Sequence, residues 1–248
     1  HLFGGGEAQV EIVERVGRPV GVSASDAGVT VSADAIIGDK ANVAVVFSIS
    51  RDDGTAFEGI EALDNGLLPL GFSEELEVDF PILMQIGQEM GTTGSSYFYD
   101  ADPTDNAIQL VETRSYEGEG DLSLIGRTMS AHFFDLTLYG AGEPTVIAAG
   151  DWKLSFPLDY EDASVALPTG QHVELSGFHE DDAAGVRERV GTIDATIDEM
   201  SISPVALHVR YTANQEVTWT SGESGRQSAH DSQLSDTLLS LPVSIALD

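Results

Sequence analysis

The sequence predicts an all-β fold, and three stretches predict it. Gly28 to Asp53 reads GVTVSADAIIGDKANVAVVFSISRDD, Gly150 to Tyr160 reads GDWKLSFPLDY, and Ile202 to Tyr211 reads ISPVALHVRY. Each alternates apolar and polar residues at period two. That pattern sets one face of an extended strand against a core and the other in water. Gly, Asp and Pro punctuate the chain between such stretches as turns.

Taken in order, Gly4 to Gly6 is a flexible lead-in, and Ala8, Ile12, Val13 and Val16 fall at the spacing of a short amphipathic helix near 8–16. Val20 to Ser25 reads as a strand and Asp26-Ala27-Gly28 as a turn, with Gly28 suited to positive φ. Val29, Val31, Ala33, Ala35 and Ile37 are expected to face the core together, as are Val43, Val45, Phe47 and Ile49 after the turn at Gly38-Asp39. The stretch 57–96 reads as an irregular insertion. Gly66, Pro69 and Gly71 interrupt its leucines, Leu76, Val78 and Phe80 alternate as a strand stopped by Pro81, and Gly87 to Ser96 has the composition of a loop. Ile108 to Thr113, Met129 to Tyr139 and the Trp152-Leu154-Phe156 strand follow, with Phe133 or Phe134 facing inward and an acidic turn at Glu117 to Asp121. A polar break at Glu161-Asp162 marks a domain boundary. Beyond it, Val173 and Leu175, Thr192 to Ser203, Val205 to Thr212, Val217 with Trp219, and Leu239 to Leu247 read as strands, with Gly222 to Ser232 a polar loop. Strands at this density predict two immunoglobulin-like β-sandwich domains in tandem, 1–161 and 162–248.

Composition narrows the function. The chain has 248 residues, 42% of them hydrophobic, enough to bury a substantial core. Its 42 acidic and 11 basic residues give a formal charge of −31, and Lys40 and Lys153 are its two lysines. Such a chain repels phosphate backbones and anionic lipid, so nucleic acid is excluded as a partner. The acidic surface favours solubility, attracts cations or basic partners, and suits a high-salt habitat. With no cysteine there is no disulfide framework, thiolate metal site or Cys nucleophile. No stretch approaches the roughly 20 apolar residues that span a bilayer. The start at His1 reads as that of a fragment from which any anchor or leader has been removed.

The stretches Gly17 to Val31 (GRPVGVSASDAGVTV), continuing through Asp39 and Asn42 to Ser48, then Gly150 to Phe156 (GDWKLSF) and Ser201 to Tyr211 (SISPVALHVRY), together resemble a family. It comprises Gram-positive single-pass membrane proteins of unknown function, often labelled anti-sigma factors. The resemblance covers most of the chain except 57–96. It implies a short cytoplasmic segment that binds or sequesters a sigma factor in some members, one transmembrane helix, and an extracellular part of two β domains. This chain would then be that extracellular part, at the outer face of the membrane and reaching it through a segment absent here. The shared motifs are fold motifs and bring no catalytic residues.

Candidate chemistry is sparse. Asp100, Asp102 and Asp105 are spaced like oxygen ligands for Ca²⁺, although the central Gly and terminal Glu of an EF-hand loop are absent. Asp52-Asp53 and Glu180-Asp181-Asp182 are weaker acidic turns. The histidines (His1, His132, His172, His179, His208 and His230) show no zinc spacing, though His172 and His179 could meet across a turn; His208 lies on the polar phase of its strand. Gly222-Glu223-Ser224-Gly225 partly resembles a nucleophile loop, but Arg226 breaks the motif, and a triad from Ser224, His230 and Asp231 is too local in sequence to form. Among 42 acids a glycosidase-like pair arises by chance. Trp152 belongs to the core; Trp219, between threonines, is the tryptophan free to stack on a sugar. The sequence therefore predicts no enzyme, cofactor or metal, but a sensor or interaction module for a protein or cell-wall ligand. The alternative is an adhesive surface module binding glycan or Ca²⁺.

Overall fold

The structure is a computed structural model. It describes residues 17–80, 91–100, 102–117, 123–140, 142–181 and 186–214, with the backbone alone over 175–181 and 186–193. The expected helix near 8–16, most of the acidic turn at Glu117 to Asp121, the strand at Val217 and Trp219, the loop Gly222 to Ser232 and the strand from Leu239 to Leu247 lie outside these residues. The described residues are all-β: every sheet pairing is antiparallel, and no helix occurs among them. They fall into two compact units. The first runs to Ser164 and takes in Ser203–Ala206; the second comprises Val165–Ile202 and resumes at Leu207.

The first unit holds β1 (Arg18–Asp26), β2 (Val29–Gly38), β3 (Asn42–Arg51), β4 (Leu70–Val78), β5 (Gly91–Tyr99), β6 (Ala107–Glu117), β7 (Thr128–Leu138) and β8 (Thr145–Pro157). One sheet has the order β1-β2-β3-β6-β5 and the other β4-β7-β8. Their inner faces share one apolar core. Val45, Phe47, Ile49, Ile108 and Leu110 come from the first sheet; Met129, Phe133, Trp152, Leu154 and Phe156 come from the second. Phe47 meets Phe133 edge-on at 5.1 Å, and Phe72 lies 5.7 Å from Phe98, so aromatic rings from the two sheets lock the layers.

Two expectations change. Val29, Val31 and Ala33 face this core, but Ala35 and Ile37 do not. A register shift between Ala33 and Ala35 moves them to the opposite face, where they join Ala44, Val46, Tyr99, Val111 and the returning Val205. Inserting one residue reverses which side chains face inward. The same device acts in β7: Asp135, at φ 44, takes up a shift between Phe134 and Leu136, so that both Phe133 and Leu136 are fully buried. The second change is at Gly91–Tyr99, expected as loop up to Ser96. It is a strand paired with β6 from Gly91↔Glu117 to Tyr99↔Gln109. Its first half is exposed, so Gly, Thr and Ser suffice where no core face is needed.

Asp39 is the polar anchor of the first unit. Its carboxylate is buried and accepts hydrogen bonds from the Ala41 and Asn42 amides (2.9 and 2.8 Å), from Asn42 Nδ2 (2.8 Å) and from Ser203 Oγ (2.6 Å). Tyr160 donates to the Asp39 carbonyl at 3.0 Å. Gly38 precedes it because a Cβ there would lie 2.4 Å from the Asn42 carbonyl oxygen and 2.7 Å from the Tyr160 ring. Asp39→Ala removes the acceptor of four donor groups at once, of which the Ser203 hydroxyl is buried and the others part-buried, and a buried orphan costs about 1–3 kcal/mol. The expected net loss is about 2–4 kcal/mol after water enters, read by urea unfolding with circular dichroism. A loss below about 0.5 kcal/mol would show that the turn holds without its carboxylate.

The second unit is a sheet in the order β10 (His172–Asp181), β11 (Val186–Ile202) and β12 (Leu207–Ala213), with β9 (Val165–Ala166) also on β11. Because β12 pairs with Ser201 and Ile202 from one side, β9 must take the other edge of β11, in line with β10. In β12, Leu207, Val209 and Tyr211 are half-buried while His208, Arg210 and Thr212 are exposed, as the sequence alternation predicts.

Candidate functional site

Four separated segments of the first unit converge on a cleft of about 600 Å³, in the size range of ligand sites. It lies where β2 begins, β3 ends, β7 ends and β8 begins. Ala27 and Gly28 form the tight β1–β2 turn, both at positive φ (50° and 74°), with Asp26 Oδ1 accepting the Ala27 amide at 2.8 Å. Arg51, Asp52 and Asp53 leave the end of β3, and the Asp52 amide donates to the Gly28 carbonyl at 3.0 Å, tying the two segments. Phe57, Glu58 and Ile60 come from the following loop; Leu138, Ile147 and Ala148 come from β7 and β8.

The cleft has an apolar floor and a charged rim. Val29 and Ala148 are buried, Phe57, Ile60 and Leu138 are half-buried, and Ile147 is exposed at the lip. On the rim, Arg51 lies 3.4 Å from Asp53 Oδ2 and 5.9 Å from the Phe57 ring centre. Asp53 Oδ1 accepts from the Thr55 amide (3.0 Å) and hydroxyl (2.7 Å), which hold its carboxyl below the usual range. A general acid requires the opposite shift. Asp52 Oδ1 accepts from the Thr30 hydroxyl at 2.7 Å.

A second cluster is buried. Glu112 on β6 has a fully buried side chain, and Arg114 Nη1 lies 2.8 Å from its Oε2 without the alignment of a hydrogen bond. Arg114 Nη2 pairs at 2.5 Å with Glu74 of β4, and Ser96 of β5 donates to the same Glu74 oxygen at 3.2 Å. Burial, and then the negative charge of Glu74, push the Glu112 carboxyl up to about 9 against the opposing pull of Arg114. Glu112 is therefore protonated at neutral pH, beside a Glu74–Arg114 ion pair. Sequence reading passed over this cluster although a signal was present. Glu112 follows Ile108 and Leu110 on the inward phase of β6, and Glu74 sits between Phe72 and Leu76 on that of β4. A charge on the core phase of a strand is the informative exception.

The predicted site residues fall elsewhere. Asp100, Asp102 and Asp105 each cap their own turn, accepting from the Asp102 amide (3.0 Å), the Thr104 amide and hydroxyl (3.0 and 2.6 Å) and the Ala107 amide (2.8 Å). The Thr104 bonds hold Asp102 low, while burial raises Asp100. Among the described residues, no three His, Cys, Asp or Glu side chains are placed to hold a metal ion. His172 and His179 lie on one strand, β10, and cannot meet across a turn: seven residues at about 3.3 Å each put them roughly 23 Å apart. His208 is exposed on β12, and Trp152 is fully buried. His132 lies on the outer face of the second sheet, 2.6 Å from Asp151 Oδ1, whose other oxygen binds Lys153 at 2.8 Å. His1, Asp182, Trp219, Gly222, Glu223, Ser224, Gly225, Arg226, His230 and Asp231, and the side chains of His179, Glu180 and Asp181, lie outside the described residues.

No protein-family model matches this chain, and no curated protein does. A crystal structure described as that of the conserved domain protein from Bacillus anthracis is similar at 12% identity and a TM-score of 0.47, over 81% of this chain and 56% of that one. The chain thus spans little more than half the length of that neighbour, and the likeness assigns neither a fold family nor an activity.

Proposed function

We propose that this chain is a non-catalytic interaction module, made of two immunoglobulin-like β units and displayed at the outer face of a cell membrane. In this reading it belongs to the single-pass anti-sigma-factor-like family whose strand motifs it resembles, and it senses a protein or cell-wall ligand. The cleft supports the reading. Its lining combines buried apolar side chains with a charged rim, as recognition sites do. No histidine, serine, lysine or tyrosine is among the described residues that line it. The lining therefore offers no hydroxyl, imidazole or amine, and its polar side chains are three carboxylates and one guanidinium.

The test uses the full-length membrane protein in its host. Removing the module is expected to change transcription from promoters of the associated sigma factor. Unchanged transcription would count against sensing. Calorimetry of the chain with Ca²⁺ and with a glycan panel separates the adhesive alternative: heat with either favours adhesion, and none with both sinks it.

A further inference from the structure

We infer that the cleft at the end of the first unit takes a lysine or arginine side chain from a basic peptide segment of a partner protein. This rests on the interaction-module reading and names its ligand class.

Charge is the first ground. Asp52, Asp53 and Glu58 stand on the rim against the single cation Arg51, and Asp53 already neutralises Arg51. The rim keeps two negative charges that no lining cation matches. Among the described residues, Asp52 Oδ2 and the Glu58 carboxylate have no protein donor, so both are open to an ammonium or guanidinium. Asp53, in contrast, is filled by Thr55 and Arg51.

Shape is the second ground. Below the rim, Val29, Ala148, Leu138, Ile60 and Phe57 offer a floor for methylene groups, with Ile147 at the lip. Lysine and arginine are the side chains that join an aliphatic stem to a cationic head. Their stems would lie on the floor while the head stays at the wet rim, so the charge keeps most of its hydration. About 600 Å³ exceeds one such side chain and leaves room for its peptide neighbours. A bare metal ion would leave the floor unused, and an anion would meet the two unmatched carboxylates. The −31 charge of the whole chain adds a long-range field that steers basic partners inward. That field is not site-specific, so the test must separate the cleft from the acidic surface at large.

The probe is an acetylated, amidated Leu-Lys-Leu peptide, with Leu-norleucine-Leu as its neutral isostere. Both are titrated into the intact 248-residue chain by NMR. The indole N–H of Trp152 is a built-in reporter, because it donates at 2.9 Å to the carbonyl of Val29, a lining residue. Its resonance is assigned with Trp219→Phe. The lysine peptide is expected to shift this signal and the amides of Val29, Ile147 and Ala148 saturably. Asp52→Asn combined with Glu58→Gln is expected to weaken binding about tenfold, as two charge-assisted contacts would. Glu75→Gln with Glu77→Gln, equal in charge change but on β4 away from the cleft, should leave it unchanged. The two rim carboxylates are exposed, so their removal should spare the fold, as circular dichroism will confirm. Equal binding of the norleucine peptide in the cleft would overturn the cationic ligand while leaving an apolar interaction site standing. Shifts spread over the acidic surface, or equal weakening by both double variants, would overturn the site itself. Absence of any cleft shift with either peptide would overturn the inference and remove the main support for the interaction reading.

Discussion

Trp152→Ala is expected to destabilise the first unit by about 3–5 kcal/mol, a large share of the roughly 5–15 kcal/mol that holds a domain folded. The Trp152 side chain is fully buried, and it packs 5.6 Å from Phe72 between the sheets. Its indole also satisfies the Val29 carbonyl at 2.9 Å, where β2 starts. Gly150 is shaped around it: a Cβ there would sit 2.6 Å from the indole ring. Alanine therefore removes a large apolar volume and a buried hydrogen bond together. Trp152→Phe keeps much of the volume but loses the indole hydrogen bond to the Val29 carbonyl, so a smaller loss of about 1–3 kcal/mol is expected. Guanidinium unfolding followed by circular dichroism measures both, since fluorescence would lose its reporter. A loss under 1 kcal/mol for alanine would mean that the ring is not the keystone described here.

Glu112→Gln is expected to stabilise the first unit, and by more as pH rises. The ordinary value of 4.5 describes the unfolded chain, while burial lifts the folded Glu112 to about 9. A group whose folded value is raised contributes its full stability below the unfolded value. That contribution is lost as pH climbs through the folded one. Between pH 4.5 and about 9 the native protein should therefore weaken with rising pH, by at most about 1.4 kcal/mol per unit from this group. The groups facing Glu112 fix the sign: Glu74 from β4 opposes its ionisation, Arg114 from its own strand favours it, and Ser96 from β5 can donate to it. Glutamine preserves the shape and removes the titration. Wild type and variant should melt alike near pH 4 and separate progressively toward pH 9. Arg114→Leu should carry the trend to higher pH, because it removes the charge that favours Glu112 ionisation and leaves Glu74 opposing it. Parallel melting curves for wild type and Glu112→Gln across this range would show that Glu112 does not titrate in the folded chain.

Much of the scaffold was legible in the sequence. Period-two alternation located β1, β2, β3, β7, β8 and β12 and named Val43, Val45, Phe47 and Ile49 as one inward row. Trp152 was assigned to the core by the same reasoning. Alternation carries no information about register, however, and a single bulge between Ala33 and Ala35 sent Ala35 and Ile37 to the other face. β5 was hidden because an edge strand with an exposed first half needs no apolar row. The Asp100, Asp102 and Asp105 spacing suggested a cation site, while local amides and hydroxyls engage those carboxylates instead. Neither the cleft nor the partnership of Glu74 with Glu112 is local: their members lie tens of residues apart and meet through sheet packing.

By itself the sequence determined an acidic, cysteine-free chain of β-strands with one buried and one wet face, because side-chain polarity alternates with backbone geometry and needs no knowledge of neighbours. The tertiary structure decided which strands share a sheet, where bulges reverse a face, and which distant charges become neighbours. Those outcomes depend on pairing and desolvation between segments, energies that arise when separate parts of the chain close on one another.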